Sequence, residues 1–261
     1  MLKLSADQID AYHRDGFLAL DELVREEEVV WMREVYDRLF ATRAGRERGD
    51  QFDLGGEDRE GVEPVLPQIL SPSSYAPELL SGQYRQTADS VIKQLLGPSG
   101  SLGGDHAINK PARIGAATPW HQDEAYWDPS LDYNSLSIWI PLQEATIENG
   151  CMWFIPGSQK WEVHPHQPIG NNPKVHGLEM LEVDTSTAVA CPLPSGGCTI
   201  HHNRTAHYTG PNLSDAPRRA LILGGGVAAT KRTDDRRFPW NEMKTTARQE
   251  RREAYEARTT E

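Results

Sequence analysis

The spacing of apolar residues changes near residue 97, and this change divides the chain into two parts. Before it, apolar residues recur every three or four positions, the spacing of one face of a helix. After it, short runs rich in β-branched and aromatic residues alternate with glycine, proline and asparagine. The pattern predicts a helical region over about residues 1–97, a β core over about 98–230 and a tail over about 245–261.

Three helices and one short strand are predicted in the first part. Ser5 and Gln8 can form a capping box at the start of the first helix, and Gly16 is suited to its end. The predicted segments are a helix from Ser5 to Gly16, a strand from Phe17 to Leu20, and helices from Glu26 to about Thr42 and from Pro77 to Gly97. Residues 45–61 are charged and rich in glycine, so we interpret them as a mobile loop, either a solvated connector or a lid over a substrate pocket.

The second part predicts strands, with apolar and other side chains alternating most clearly from Ser135 to Leu142. Asn149-Gly150 predicts a hairpin between two strands. Helices followed by many short strands predict an all-β core with flanking helices, in one domain over residues 1–261. The predicted strands are Leu102–Ile108, Ser135–Leu142, Cys151–Ile155, Ala188–Cys191, Gly197–His201 and Arg219–Gly224. The tail from Thr245 is expected to form a surface helix or a frayed end.

Composition excludes several classes of function. The chain of 261 residues has a net charge of −11, which disfavours a surface for nucleic acid. Three cysteines without a Cys-x-x-Cys pair make a disulfide framework and a thiolate zinc site improbable. The N-terminus is polar, and no run is apolar and long enough for a signal core or a membrane span. We therefore expect a cytoplasmic protein, monomeric or homodimeric, that binds neither nucleic acid nor membranes.

The candidate chemistry begins at His121 and Asp123, which are two residues apart. In an extended strand their side chains would share a face and could hold one metal ion. His207 would complete two histidines and one carboxylate, the facial triad typical of non-haem Fe(II) oxygenases. His201 and His202 compete with His207 as the third ligand. Spacing alone does not distinguish Fe(II) from zinc, which accepts the same ligands.

Several motifs in fixed order make the chain resemble a known family. They are Ile108-Asn109-Lys110-Pro111, Pro119-Trp120-His121-Gln122-Asp123, Trp139, Asn149-Gly150-Cys151, Ile155-Pro156-Gly157-Ser158, His207-x-Thr209-x-x-Asn212-x-Ser214 and Arg218. The chain resembles the phytanoyl-CoA dioxygenase family of Fe(II)- and 2-oxoglutarate-dependent oxygenases, which includes ectoine hydroxylase. The resemblance implies a double-stranded β-helix, the cupin-like jelly roll, with the metal near one mouth. It also implies that Asp123, a carboxylate that related halogenases lack, disfavours halogenation.

The resemblance also implies roles for individual residues. His121, Asp123 and His207 would be the catalytic metal ligands. Arg218 would bind the distal carboxylate of 2-oxoglutarate, because a guanidinium fork matches a carboxylate, whereas Arg219 would point to the other face of its strand. The remaining implied positions are Thr209, Trp139 and Asn109 at the cosubstrate and Trp127, Tyr126 and Glu124 at the substrate. Lys110 could equally be a solvated charge at a strand end, and the aromatic residues could simply pack the barrel.

The implied reaction consumes O2 and 2-oxoglutarate, oxidises a C–H bond of a small organic molecule, and releases succinate and CO2. Hydroxylation is the expected outcome, although the same chemistry can desaturate or rearrange a substrate. One alternative is a non-catalytic metal-binding jelly roll that serves as a sensor or scaffold. Another is a hydrolase or isomerase with a zinc-like ion, which would leave Arg218 and Thr209 without a role.

Overall fold

The computed structural model describes residues 2–259, so Met1, Thr260 and Glu261 of the predicted domain lie outside the described residues. The helices are α1 (Ala6–Asp15), α2 (Glu26–Ala41), α3 (Gln83–Leu96), α4 (Pro239–Glu242) and α5 (Ala247–Thr259). The strands are β1 (Phe17–Leu20), β2 (Gln51–Asp53), β3 (Pro67–Leu70), β4 (Ser101–Lys110), β5 (Thr118–His121), β6 (Leu131–Asp132), β7 (Ser135–Pro141), β8 (Met152–Phe154), β9 (His166–Pro168), β10 (Leu178–Met180), β11 (Val189–Cys191), β12 (Cys198–His202), β13 (His207–Thr209), β14 (Arg218–Gly226) and β15 (Thr230–Lys231).

Two antiparallel sheets form the β core. The major sheet has the order β1-β12-β7-β14-β4-β3-β2, and the minor sheet has the order β11-β8-β13-β5. An apolar cluster joins them, with Trp139 and Ala220 from the major sheet packed with Met152 and Phe154 from the minor sheet. The two sheets do not close into a continuous barrel. The predicted jelly-roll class with flanking helices is confirmed.

The helical layer covers the other face of the major sheet. Side chains of α2 and α3, such as Met32 and Ile92, share one buried cluster with Ile138 and Leu221 of the sheet. The Tyr36 hydroxyl donates a 3.1 Å hydrogen bond to a carbonyl of β14. Alternate residues of each central strand therefore have different surroundings, because one face packs on helices and the other faces the minor sheet.

Local sequence signals fixed the ends of the first helix. The Ser5 hydroxyl accepts the Gln8 N–H at 3.1 Å, and the Gln8 side chain accepts the Ser5 N–H at 2.8 Å. Gly16 ends α1 with φ +85°, a left-handed conformation that glycine adopts without steric cost. The predicted capping box, helix and following strand are confirmed.

Three predictions about local structure were wrong. The stretch interpreted as a mobile loop contains β2, an edge strand with Phe52 buried and Asp53 accepting three backbone N–H bonds. Asn149-Gly150 does make a turn, but β7 before it and β8 after it lie in different sheets. The third long helix starts at Gln83, because Pro77 opens a separate short 3₁₀ helix. The first two errors share a cause: turn and composition signals are local, and strand pairing is not.

All six predicted strands are present with small shifts at their ends, while short strands such as β5 and β13 were not predicted. The tail forms α5, which has no buried residue over its described length, as the surface-helix prediction expects. In the described part of the chain, no helix combines the length and apolar character needed to cross a membrane.

Candidate active site

Two histidines and one carboxylate converge where the minor sheet meets the major sheet. His121 ends β5 and His207 begins β13, and the two residues are direct partners across the antiparallel pair. Asp123 follows β5 and starts a short 3₁₀ helix. One ligand atom from each of the three residues lies within 4.8 Å of the others, a geometry that can hold a metal ion. The three residues that the sequence analysis grouped as candidate ligands therefore lie close together in the structure.

Backbone carbonyls orient both imidazoles. Nδ1 of His121 lies 2.8 Å from the Pro119 carbonyl oxygen, and Nδ1 of His207 lies 2.8 Å from that of Thr205. A carbonyl only accepts, so Nδ1 of each ring must donate, and Nε2 is the atom left to act as a metal ligand. Both Nε2 atoms point toward Asp123, at 3.8 Å for His121 and 3.4 Å for His207. This is the arrangement that second-sphere hydrogen bonds impose on metal-binding histidines.

The Asp123 carboxylate is held by the major sheet. Its Oδ2 accepts a 2.8 Å hydrogen bond from the Ser137 hydroxyl and lies 3.3 Å from Nε2 of His201. Ser137 and His201 are direct partners in β7 and β12. Oδ1 faces the histidines of the minor sheet instead. The carboxylate thus bridges the two sheets, with one oxygen fixed and the other available to a metal.

Burial and charge set the protonation of these groups. Burial, with a further effect of His207, lowers the pKa of His121 to about 3, so its imidazole is neutral. Burial alone would raise the pKa of Asp123, but the neighbouring His207 and His201 outweigh it and hold the pKa well below its usual value. A neutral imidazole and an ionised carboxylate are the forms that bind metals.

Arg218 lies on the inner face of β14 and is 1% exposed. Its Nε and Nη1 are buried without a hydrogen-bond partner in the described chain. Its guanidinium lies 5.2 Å from the centre of the Trp139 ring. Burial lowers the pKa of Arg218 to about 10, so the group remains charged at neutral pH. Burying a charge with unused donors costs folding free energy. The free donors of Arg218 would suit an anion bound between the two sheets.

Arg219 faces the opposite way, as the strand alternation predicts. Its guanidinium bonds Asp37 of α2 at 2.5 and 2.9 Å. The strand register pairs Arg219 with Asn109 and Arg218 with Lys110. Directly paired residues share a face, so Asn109 lies on the helical side of the sheet, away from Arg218. We therefore remove Asn109 from the candidate site.

Lys110 takes the inner position and is fully buried, which corrects the alternative of a solvated charge. Its Nζ donates to the carbonyl oxygens of Ala116, Thr209 and Gly210 at 2.7, 3.3 and 2.5 Å. Burial and the charge of Arg218 lower the pKa of Lys110 well below its usual value. The lysine joins the end of the major sheet to the minor sheet next to the Arg218 pocket.

Thr209 is buried and lies two residues beyond His207 on β13. Its hydroxyl donates a 3.0 Å hydrogen bond to the Thr118 hydroxyl. Trp139 shares a strand face with Ser137, and it contacts Arg218 while Ser137 contacts Asp123. These contacts make the arginine pocket and the triad neighbouring parts of one inter-sheet space.

The residues expected around the substrate divide into two groups. Glu124 is 1% exposed, and its carboxylate accepts hydrogen bonds from Arg236 and Asn203, both at 2.6 Å. It therefore does not face a pocket mouth. Tyr126 lies with its ring 6.1 Å from the His121 ring, and its hydroxyl accepts the Leu178 N–H at 2.7 Å. Trp127 packs edge-on against Tyr133. Tyr126 is thus the member of the predicted set that contacts the triad.

The other histidines of this region have structural partners. His166 Nε2 accepts the Gln122 N–H at 3.2 Å and its Nδ1 donates to the His164 carbonyl at 2.7 Å. His202 Nδ1 accepts the Arg204 N–H at 3.1 Å. His201 contacts Asp123 and is not one of the three converging residues. Of His201, His202 and His207, only His207 belongs to the converging group found among the described residues, and we carry it forward as the candidate third ligand.

Sequence reasoning missed Ser137 and the inner role of Lys110. The signal for Ser137 was present, because it alternates with Trp139 along one strand face. The side of the sheet that Lys110 faces depends on the register of β4 against β14, and no short-range pattern specifies that register.

Comparison with known proteins extends over most of the chain. The profile of the family described as phytanoyl-CoA dioxygenase matches residues 12–220. The probable alpha-ketoglutarate-dependent hypophosphite dioxygenase of Stutzerimonas stutzeri is 27% identical over 228 residues, 85% of this chain and 79% of that protein. The ectoine dioxygenase of Bordetella parapertussis is 27% identical over 240 residues, 84% of this chain and 74% of that protein.

Among solved structures, EvdO2 of Micromonospora carbonacea var. aurantiaca in complex with 2-oxoglutarate is 38% identical, with a TM-score of 0.79. The match covers 92% of this chain and 97% of that one. The predicted enzyme class and cofactors are confirmed by these relatives and by the converging triad. The chain is an oxygenase that depends on Fe(II) and 2-oxoglutarate and acts on a small molecule, and it belongs to the phytanoyl-CoA dioxygenase family.

Proposed function

We propose that the protein hydroxylates a C–H bond of a small organic molecule, with Fe(II) held by His121, Asp123 and His207 and 2-oxoglutarate held by Arg218. The observation that carries this proposal is the pairing of two features. Three ligand atoms converge within 4.8 Å, and a buried guanidinium with unused donors lies in the same inter-sheet space. Two imidazoles and a carboxylate leave three coordination positions for 2-oxoglutarate and O2.

The residues fit both groups. Two imidazoles that bind backbone carbonyls through Nδ1 present Nε2 as the ligand atom, and together with an ionised carboxylate they suit Fe(II). The unpartnered Nε and Nη1 of Arg218 suit the distal carboxylate of 2-oxoglutarate, and a lysine in its place would lack the bidentate fork. Thr209 is a second candidate donor, once its hydroxyl turns from Thr118. Trp139 would form one wall of the cosubstrate pocket.

When bound, Fe(II) and 2-oxoglutarate supply the oxidising chemistry, which consumes O2 and releases succinate and CO2. The chain's own residues supply position. The Pro119 and Thr205 carbonyls fix the tautomers of the two histidines, and Ser137 holds one oxygen of Asp123. Tyr126, whose ring contacts His121, would limit the direction from which a substrate approaches. Trp127, which packs edge-on against Tyr133, would form a further part of the substrate surface.

The buried guanidinium of Arg218 also argues against the two alternatives, a sensor or scaffold and a zinc hydrolase. A sensor or scaffold gains nothing from a buried and unpartnered arginine beside its metal site, since that charge costs folding free energy. A zinc hydrolase would likewise leave Arg218 unused. We further propose that residues 1–261 form one catalytic domain that works as a monomer or homodimer in the cytoplasm.

The test is succinate formation by the full chain with Fe(II), 2-oxoglutarate and O2. We expect the wild type to form succinate, and His121→Ala, Asp123→Ala and His207→Ala each to abolish both succinate formation and tight Fe(II) binding. His13→Ala, which alters an exposed histidine of α1, is the matched control and should behave as wild type. Circular dichroism checks that each variant folds. Full succinate formation by His207→Ala would show that the third ligand is a different histidine.

A further inference from the structure

Two cationic side chains beside the candidate site have no acidic partner. Lys244 is 8% exposed, and Arg248 has a buried Nε without a hydrogen-bond partner. Neither forms a salt bridge within residues 2–259. This is unusual for a chain with 38 acidic and 27 basic residues, in which other shielded arginines such as Arg236 do pair with carboxylates. Charges that are shielded from water are normally paired, so two neighbouring cations without a carboxylate partner suggest that they bind an anion.

The two cations lie along an aromatic wall that leads to the triad. Lys244 Nζ lies 4.8 Å from the centre of the Tyr126 ring, and Arg248 lies 5.1 Å from the centre of the Phe52 ring. His176 links these rings, stacked 6.0 Å from Tyr126 and edge-on at 4.7 Å to Phe52. Tyr126 in turn lies 6.1 Å from the His121 ring. Lys244 is therefore two ring contacts from a proposed iron ligand.

Hydrogen bonds hold residues 240–251 against the rest of the fold near both ends of the aromatic wall. Trp240 Nε1 and Asn241 Nδ2 donate to the Ala125 carbonyl at 2.9 and 2.8 Å, within the 3₁₀ helix that begins at Asp123. Arg251 pairs with Asp58 and donates to the Gln51 carbonyl beside Phe52. Lys244 and Arg248 lie between these anchors, so their placement over the two rings is set by the fold.

Positive charge accumulates around Lys244 and His176. Burial, and then the neighbouring Arg248, lower the pKa of Lys244 to about 7. Burial and then Lys244 and Arg248 lower the pKa of His176 well below its usual value. Asp50 is the acid that acts on Arg248, but its carboxylate is bound by the Tyr75 hydroxyl at 2.6 Å. An anion placed between the two cations would relieve this repulsion.

We propose that Lys244 and Arg248 bind an anionic group, a carboxylate or a phosphate, on the substrate of this oxygenase. The arginine offers a planar fork and the lysine a point charge, and both suit either anion. The partly buried rings of Tyr126 and His176 would contact the body of the substrate and direct its C–H bond toward the metal, while the buried ring of Phe52 supports His176. This inference rests on the proposed function and adds to it the chemical class of the substrate.

The test compares matched probes that differ in charge. Isothermal titration of the full chain, with excess Mn(II) and 2-oxoglutarate filling their own sites, measures the affinities for benzoate, phenyl phosphate and uncharged benzyl alcohol. We expect at least one anion to bind about tenfold more tightly than the alcohol. Lys244→Gln and Arg248→Gln should each remove most of this preference. Benzoate and phenyl phosphate distinguish a carboxylate site from a phosphate site.

The controls separate this charge effect from a loss of structure. Lys231→Gln removes an exposed lysine and should keep the wild-type preference, and Lys244→Arg should keep it because the charge remains. The proposal is overturned if anions bind no more tightly than benzyl alcohol or if both glutamine variants keep the preference.

The succinate assay tests the proposed function separately from the anion titration. Wild-type protein that forms no succinate with Fe(II), 2-oxoglutarate and O2 would refute the oxygenase assignment of the site. The titration with Mn(II) requires no turnover, so it decides the role of Lys244 and Arg248 in either case.

Discussion

Arg218 and Arg219 are adjacent in sequence but have opposite environments, so exchanging each for alanine tests the strand register of the site. Arg218 is buried with two unused donor atoms, whereas Arg219 already bonds Asp37 of α2. We predict that Arg218→Ala raises the KM for 2-oxoglutarate strongly and that Arg219→Ala leaves it unchanged.

The magnitude follows from the number of donors. A hydrogen bond to a charged group contributes about 1.5–3 kcal/mol, and Nε and Nη1 of Arg218 can form two such bonds. Taking the lower value for each gives about 3 kcal/mol, or an increase in KM of about 150-fold. Loss of the Arg219 pair with half-exposed Asp37 should cost under about 1 kcal/mol of folding stability.

The assay is the initial rate of succinate formation as a function of 2-oxoglutarate concentration, at saturating Fe(II) and O2. Loss of binding that is equal in the ground and transition states raises KM and leaves kcat nearly unchanged. Arg218→Lys should recover only part of the affinity, because it restores the charge without the fork. Equal KM values for the two alanine variants would refute the register, and a wild-type KM for Arg218→Ala would refute the cosubstrate role.

Three further perturbations test the surroundings of the triad. Ser137→Ala should weaken Fe(II) binding about tenfold in an equilibrium titration, because Asp123 loses the donor that fixes its carboxylate. Glu124→Gln should lower the melting temperature by about 6–12 °C, since removing the buried charge leaves Arg236 unpaired at a cost of about 3 kcal/mol. Asp123→Gly should abolish hydroxylation without efficient chlorination when chloride is supplied, as judged by product mass, because opening a coordination position also weakens the iron site.

Each of these perturbations has a control or a contrary outcome. Ser135→Ala removes a hydroxyl without a partner on the same strand face, so an equal loss of Fe(II) affinity would argue against a specific role of Ser137. Glu63→Gln alters an exposed glutamate and should leave the melting temperature unchanged; a Glu124→Gln variant as stable as wild type would mean that Arg236 finds another partner. Efficient chlorination by Asp123→Gly would show that the carboxylate alone selects between the two reactions.

The family motifs in the sequence implied the reaction class and the jelly-roll fold, and short-range patterns predicted several local details. Alternation along β14 separated Arg218 from Arg219. His121 and Asp123 converge without sharing a strand, because β5 ends at His121 and Asp123 starts a 3₁₀ helix. Capping residues fixed the first helix, since the Ser5 and Gln8 side chains bond within one turn.

Only the tertiary structure decided which neighbours each side chain meets. The register of β4 against β14 put Lys110 inside and Asn109 outside, and a shift of one residue would have reversed them. Glu124 could be assigned to its buried pair only once Arg236, more than a hundred residues later, was seen to reach it. Lys244 and Arg248 gave no signal in the sequence either, because a lone cation in a polar tail is ordinarily solvated. Their placement on Tyr126 and Phe52 arises from contacts between distant segments, and such contacts are fixed by the packing of the whole chain rather than by local pattern.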